Sequence, residues 1–168
     1  MAVKRIVLTV FCGTSAELLV KGAELGAQYK VLYLPNNRVM DSELLRETLK
    51  KEQFDYVISL GQRPNIKDKV HIETRAKKGD LSIKTTYACE KLKRILEQAG
   101  LSVKLSYNAG TSFCNELYWN GLKYMEENKL DTKMVFLHVP FEKNISKIEV
   151  FRQKLYAGLE KFQVSADM

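Results

Sequence analysis

Histidine, proline and tryptophan are scarce in this chain: its 168 residues carry two histidines, three prolines and one tryptophan. Cysteine is scarce too. Cys12, Cys89 and Cys114 are odd in number and lack metal-ligand spacing, so neither a disulfide framework nor a metal centre is expected. No apolar run is long enough to span a bilayer. Met1 to Phe11 reads as a charged-then-apolar strand, too short for the hydrophobic region and cleavage site of a secretory signal. A reduced, cytoplasmic setting away from membranes follows. There is no Walker spacing and no G-x-G-x-x-G, so the loop FCGTSAE after the first strand is only a weak phosphate cradle. The formal net charge of +7 raises a nucleic-acid reading. Its lysines and arginines, however, are spread through KLKR, KK and ENK segments interleaved with acids, as on a solvated surface, and no nucleic-acid partner is expected.

Strand and helix periodicities alternate along the chain. Residues 5–11, 29–35 and 55–60 read as strands, and residues 16–26 and 42–53 as helices between them. Residues 70–76 alternate Val70, Ile72, Thr74 and Ala76 against His71, Glu73 and Arg75, a strand or extended edge. A helix over residues 87–99 buries Leu92, Ile95, Leu96 and Ala99, and residues 101–107 alternate as a strand with unlike faces. Ser146-x-x-Glu149 forms a capping box for a last helix bearing Val150, Leu155 and Leu159. With no repeat, linker or low-complexity tract, this predicts a single α/β domain over residues 1–168. The architecture expected is a three-layer α/β/α sandwich with a largely parallel, mixed sheet.

Within that pattern the segment SYNAGTSFCNELYW, Ser106 to Trp119, carries the strongest chemical signal. A strand ends, Asn108-Ala109-Gly110 supplies a turn, Thr111 or Ser112 can cap a helix, and Cys114 lies in its first turn. The unpaired N–H groups and dipole of that turn favour thiolate, so Cys114 is expected to be primed as a nucleophile. Packing as a small hydrophobe is the competing role. A cysteine nucleophile needs a base, and the only histidines are His71 and His138. His138 ends the apolar strand Met134 to Leu137, just before Pro140. In α/β sheets chemistry collects at carboxyl strand ends, which would bring Cys114 and His138 to one edge. Glu73 is the candidate third group that orients the imidazole, its alternative being a solvated charge paired with Arg75 or a lysine. Cys89 reads as packing within its helix; Cys12 either lines the same edge as the site or is a loop residue.

These residues resemble a known family. SYNAGTSFCNELYW is similar to the cysteine box of pyroglutamyl peptidase I, and VFLHVPF to that family's histidine box. DYVISLGQ resembles its strand ending in Gly-Gln, and IETRA its glutamate box. Gly61-Gln62, Glu73, Cys114 and His138 thus stand in family order. The resemblance implies a cytosolic cysteine exopeptidase that removes an N-terminal pyroglutamyl residue, with no metal or cofactor. Cys114 would attack, His138 would move the proton and Glu73 would hold the imidazole. The Cys114 N–H would face the oxyanion, and Phe11, Cys12, Gly61 and Gln62 would lie at the substrate. The partner is then a peptide or small amide, with no nucleic acid and no membrane, and a homo-oligomer is left open because relatives self-associate.

Departures are concentrated where the family binds its substrate. Phe11 aligns with the first phenylalanine of a Gly-Phe-x-Pro-Phe-Gly-Gly loop and Gly13 is retained, but the Pro-Phe-Gly-Gly remainder is absent. Phe113, Tyr107 or Phe141 could replace the lost ring partner. Arg63-Pro64-Asn65 follows Gly61-Gln62 where the family has small residues and an arginine, one extra residue separates Gln62 from Glu73, and the arginine after the glutamate is displaced to Arg75. The connection to the next helix shortens to KKGDLSIKTT. Two alternatives follow: another acyl or amide substrate, or a non-catalytic ligand-binding or assembly module of the same fold.

Overall fold

The computed structural model describes residues 3–165. Its apolar runs form a six-stranded sheet. Strands β1 (Ile6–Phe11), β2 (Tyr29–Leu34), β3 (Tyr56–Arg63) and β8 (Lys133–Pro140) lie parallel in the order β2-β1-β3-β8. Beyond β8, strand β4 (Lys69–Glu73) runs antiparallel to it, and β7 (Ser102–Ser106) follows β4 in parallel. The sheet is mixed and mostly parallel, as expected.

Central strands read as unbroken apolar runs because helices cover both faces. Alternate residues serve opposite cores. Ile6, Leu8, Val10, Ile58, Leu60, Val70, Ile72, Val135 and Leu137 point to one face, where α1 (Ser15–Lys21), α3 (Cys89–Gln98) and α5 (Ile148–Ser165) bring Leu19, Leu92, Leu96 and Leu155. Val7, Phe11, Val57, Met134 and Phe136 point to the other face, under α2 (Arg38–Lys51) and α4 (Phe113–Glu127), which bring Leu45, Leu49, Leu117, Tyr118 and Leu122. Each large aliphatic side chain removed from water in these layers contributes on the order of 2 kcal/mol.

Local chemistry moved several element ends from their sequence positions. Helix α2 starts at Arg38, not Ser42, because the Asn37 side chain accepts from the N–H groups of Val39 and Met40 at 3.0 and 2.9 Å. The shortened connection is a hairpin, β5 (Arg75–Lys78) with β6 (Leu81–Lys84), turning at Gly79 with φ of 60°. The strand alternation through residue 76 therefore breaks at Thr74, whose N–H donates to Ser106 O at 2.8 Å before the chain leaves the sheet. Ser146 does not act as the predicted helix cap: its N–H and hydroxyl donate to the two Asp68 carboxylate oxygens at 2.7 and 2.5 Å.

Candidate active site

The period-2 rule places Met134, Phe136 and His138 of β8 on the α4 face, and the β4 pairing adds Glu73 opposite Phe136 and His71 opposite His138. On β3 the same face takes Val57, Ser59, Gly61 and Arg63, with Gly61 in register beside His138. The strand pattern alone thus gathers His138, Glu73, His71 and Arg63 beneath helix α4.

The strands that lead to Cys114 and His138 do not leave a common sheet edge. Strand β7, which feeds the cysteine helix, runs with β4 and against β8, and it ends at Ser106, level with Glu73 and Phe136 in mid-sheet. The loop of residues 107–112 carries the chain back over that face before α4 begins. Gly110, at φ of 88°, supplies the left-handed turn that makes this return feasible. Cys114 then points down onto β3: its Sγ lies 2.7 Å from where a Cβ on Gly61 would stand, and the Phe136 ring lies 2.8 Å from the same point. A side chain at position 61 would fill the seat of the sulfur. Since Gly61 is the register partner of His138, the thiol sits one strand, ~4.8 Å, over from the histidine's own strand.

Glu73 is not the solvated charge offered as its alternative. Its side chain is fully buried, Oε1 lies 2.7 Å from His138 Nδ1, and the same oxygen accepts from Arg63 Nη1 at 3.0 Å. Its backbone is held as well. Tyr118, one helical turn beyond Cys114, donates its hydroxyl to Glu73 O at 2.8 Å, so the helix that carries Cys114 also holds the end of β4. A carboxylate at Nδ1 favours the proton on that nitrogen, which in a neutral ring leaves the outer His138 nitrogen as an acceptor.

Cys114 is not primed as thiolate in this state. Burial pushes its pKa up to about 12, with the charges of Glu73 and Asp41 acting the same way. The Ser112 hydroxyl and the helix-start N–H of Cys114 pull it down by less. Desolvation therefore outweighs the helix terminus, because the sulfur is packed between α4 and Phe136 instead of facing water. Ser112 occupies the N-cap by its backbone, but its side chain makes no cap hydrogen bond.

The other predicted residues divide between the two faces of the sheet. Phe11 shares the Cys114 face, buried with its ring centroid 6.5 Å from Phe136. Gln62 points to the opposite face, where its Oε1 accepts from Ser15 N–H at 3.1 Å and it lines a cleft of about 370 Å³ with Gly13, Phe141 and Lys143. Cys12 is tied into the loop after β1: its N–H donates to Leu34 O and its carbonyl accepts from Asn36 Nδ2, both at 2.9 Å. Burial and a hydrogen bond to Glu17 raise its thiol pKa. Of the substitute aromatics, Phe113 lies beneath Arg38 and Tyr107 beneath Arg75, with guanidinium carbons 5.3 Å from each ring centre, while Phe141 is on the Gln62 side.

Two residues of this cluster escaped the sequence reading as members of a site. Tyr118, four residues past Cys114, gives no chemical signal in the sequence because a tyrosine at helical spacing reads as core packing. Arg63 was hidden because β3 was ended at Leu60; extending its alternation by one step past Gly61 would have put Arg63 on the cysteine face.

Comparison with known proteins places these observations in a family context. Residues 64–154 match the family model described as pyroglutamyl peptidase. That stretch includes Glu73, Cys114 and His138 and leaves out Phe11, Cys12, Gly61 and Gln62. The pyrrolidone-carboxylate peptidase of Lacticaseibacillus paracasei is 25% identical over 138 residues, covering 69% of this chain and 64% of that protein. The chain therefore matches just under two thirds of that relative's length. Pyrrolidone-carboxylate peptidase 1 of Caldanaerobacter subterraneus is 32% identical over 56 residues, 33% of this chain and 28% of that one. Among solved structures, pyroglutamyl peptidase I from Bacillus amyloliquefaciens superposes with a TM-score of 0.81 at 18% identity, covering 97% of this chain and 96% of that one. Pyrrolidone carboxyl peptidase from Thermococcus litoralis gives 0.75 at 19% identity, with 98% and 96% covered. At these identities the structural likeness is one of fold.

Proposed function

The chain belongs to the pyroglutamyl peptidase family, and from that premise we propose that it is a cysteine exopeptidase that releases an N-terminal pyroglutamyl residue from peptides, with Cys114, His138 and Glu73 as its working groups. The observation that carries this reading is the buried 2.7 Å contact between Glu73 Oε1 and His138 Nδ1, on the sheet face that also holds Cys114. A carboxylate buried against an imidazole fixes ring and tautomer, the arrangement a histidine base needs.

The chemistry then runs in two halves. The outer His138 nitrogen takes the Sγ proton as the sulfur bonds to the acyl carbon of the pyroglutamyl residue. Proton transfer accompanies attack, since a thiol pushed up to about 12 carries little thiolate near neutral pH. The oxyanion that forms is met by N–H groups of the first turn of α4, that of Cys114 among them. When the carbon–nitrogen bond breaks, His138 returns its proton to the departing amine. Water, deprotonated by the same histidine, adds to the thioester; 5-oxoproline leaves and the thiol is restored.

Gln62 and Phe11 favour a second reading within the same chemistry, another small acyl amide. Gln62 is engaged with Ser15 on the far face, and the Pro-Phe-Gly-Gly partner of Phe11 is absent. The test is incubation under reducing conditions with a fluorogenic pyroglutamyl amide, with Cys114→Ser and Cys12→Ser alongside. Release abolished by Cys114→Ser and retained in Cys12→Ser is the expected result. Absence of release from the wild type would overturn the pyroglutamyl assignment, and release from other acyl amides would then support the second reading.

A further inference from the structure

Arg63 is the one cation in direct contact with the Glu73 carboxylate among the described residues, and its bonds cross three strands. From the end of β3 it reaches over β8, where a single nitrogen, Nη1, donates to Glu73 Oε1 at 3.0 Å at the end of β4. The same nitrogen reaches Asn108 O at 3.1 Å and, more weakly, Ser106 Oγ at 3.4 Å, where β7 gives way to the loop that leads to Cys114. One guanidinium thus ties the carboxylate that holds His138 to the segment that delivers the nucleophile.

The carboxylate needs such a partner. Glu73 is fully buried, and its second oxygen, Oε2, has no hydrogen bond among the described residues. A buried carboxylate bonded only to an imidazole would be expensive to keep ionised, and removing one member of a buried charged pair is far more damaging than the pair is worth. Arginine suits the place because its charge stays constant, whereas a lysine brought against a buried group can lose its proton.

We propose that Arg63 is a positioning residue that locks Glu73 against His138 and anchors the loop entering the cysteine helix, so that acid arm and nucleophile arm are held as one unit. The proposal rests on the catalytic reading above. Arg63 lies just before the stretch matched to the family model. The other titratable group of this cluster is His71, opposite His138 on β4, on which Arg63, Glu73, Lys104 and His138 all act.

The test compares Arg63→Gln and Arg63→Lys with the wild type, by steady-state kinetics on the pyroglutamyl amide and by proton and nitrogen NMR of the two histidines. Arg63→Gln should lower kcat by roughly 30-fold or more with KM changed less than about threefold, as loss of a group that orients the base requires. Arg63→Lys should recover a substantial part of kcat, since it restores the charge and a single donor nitrogen on a shorter side chain. The downfield Nδ1–H proton of His138, held by the buried carboxylate, should disappear or broaden in Arg63→Gln. His71, whose pKa is lowered by burial first and by Arg63 next, should titrate at higher pH once the arginine is gone. Unchanged kcat, or parallel losses in kcat and KM with no rescue by lysine, would overturn the proposal. If the wild type itself releases nothing, the activity reading fails on its own. The Arg63 assignment is then judged by the His138 proton, and an unaltered signal in Arg63→Gln would sink it.

Discussion

A single methyl group at position 61 tests whether Cys114 sits where the fold places it. In Gly61→Ala the new Cβ would stand 2.7 Å from Cys114 Sγ, 2.8 Å from Phe136 Cζ and 2.9 Å from Phe136 Cε1, all closer than real Cβ contacts. The ring cannot simply retreat. Phe136 is fully buried, with centroids 4.9 Å from His138, 5.8 Å from Tyr118 and 6.5 Å from Phe11. Overpacking of this kind costs about 1–3 kcal/mol, which for a chain of this size lowers Tm by roughly 2–10 °C. The sulfur is the more mobile of the two neighbours, so it should be driven off its seat over Gly61. A shift of about 1 Å at a reacting atom is enough to cost roughly 100-fold in rate. Differential scanning calorimetry and the pyroglutamyl amide assay read the two effects, and a double-mutant cycle separates them. In a Cys114→Ala background the added methyl meets only the ring, so its destabilisation should shrink by a measurable part of the total. Gly61→Ala with unchanged Tm and full activity, or a cycle with no coupling to position 114, would refute the packing argument.

Alkaline pH should destabilise the fold through its buried thiols. Burial holds Cys114 at about 12 and Cys89 at about 11, against an ordinary thiol value near 9, so above that value the unfolded chain releases protons that the folded chain retains. Stability present below about pH 9 should then fall by on the order of 1 kcal/mol per pH unit for each thiol. Urea unfolding at stepped pH should show the slope reduced in Cys114→Ala; an equal slope in both proteins would contradict the burial. Asn115 holds the β5–β6 hairpin onto α4 through both sides of its amide, accepting from Lys77 N–H at 2.9 Å and donating to Lys77 O at 2.7 Å. Asn115→Ala should cost about 1–3 kcal/mol and speed tryptic cleavage at Lys77 or Lys78 severalfold. Cleavage at the wild-type rate would show that the hairpin is held by something else.

Elements defined by apolar period were legible in the chain itself. The runs Ile6–Phe11, Tyr56–Leu60 and Met134–Leu137 and the helix with Leu92, Ile95 and Leu96 follow from alternation and 3.6-residue spacing, because burial on two faces or on one stripe leaves a local trace. The cysteine, histidine and glutamate boxes were legible for the same reason, each being a short run of adjacent residues. Strand direction left no such trace. Nothing within residues 101–107 states that they run against residues 133–140, so the placing of Cys114 and His138 on one face in mid-sheet, across a returning loop, was decided by pairing partners distant in sequence. The same holds for the thiol's charge state: the helix start that favours thiolate is local, whereas the desolvation that overrides it comes from Gly61 and Phe136, 53 and 22 positions away. The sequence by itself determined which residues could carry chemistry and which segments would be strands or helices. Only the tertiary structure decided that Gln62 turns to the far face, that Arg63 joins Glu73, and that the thiol is sealed from water, because those outcomes are set by packing between elements and not by order within them.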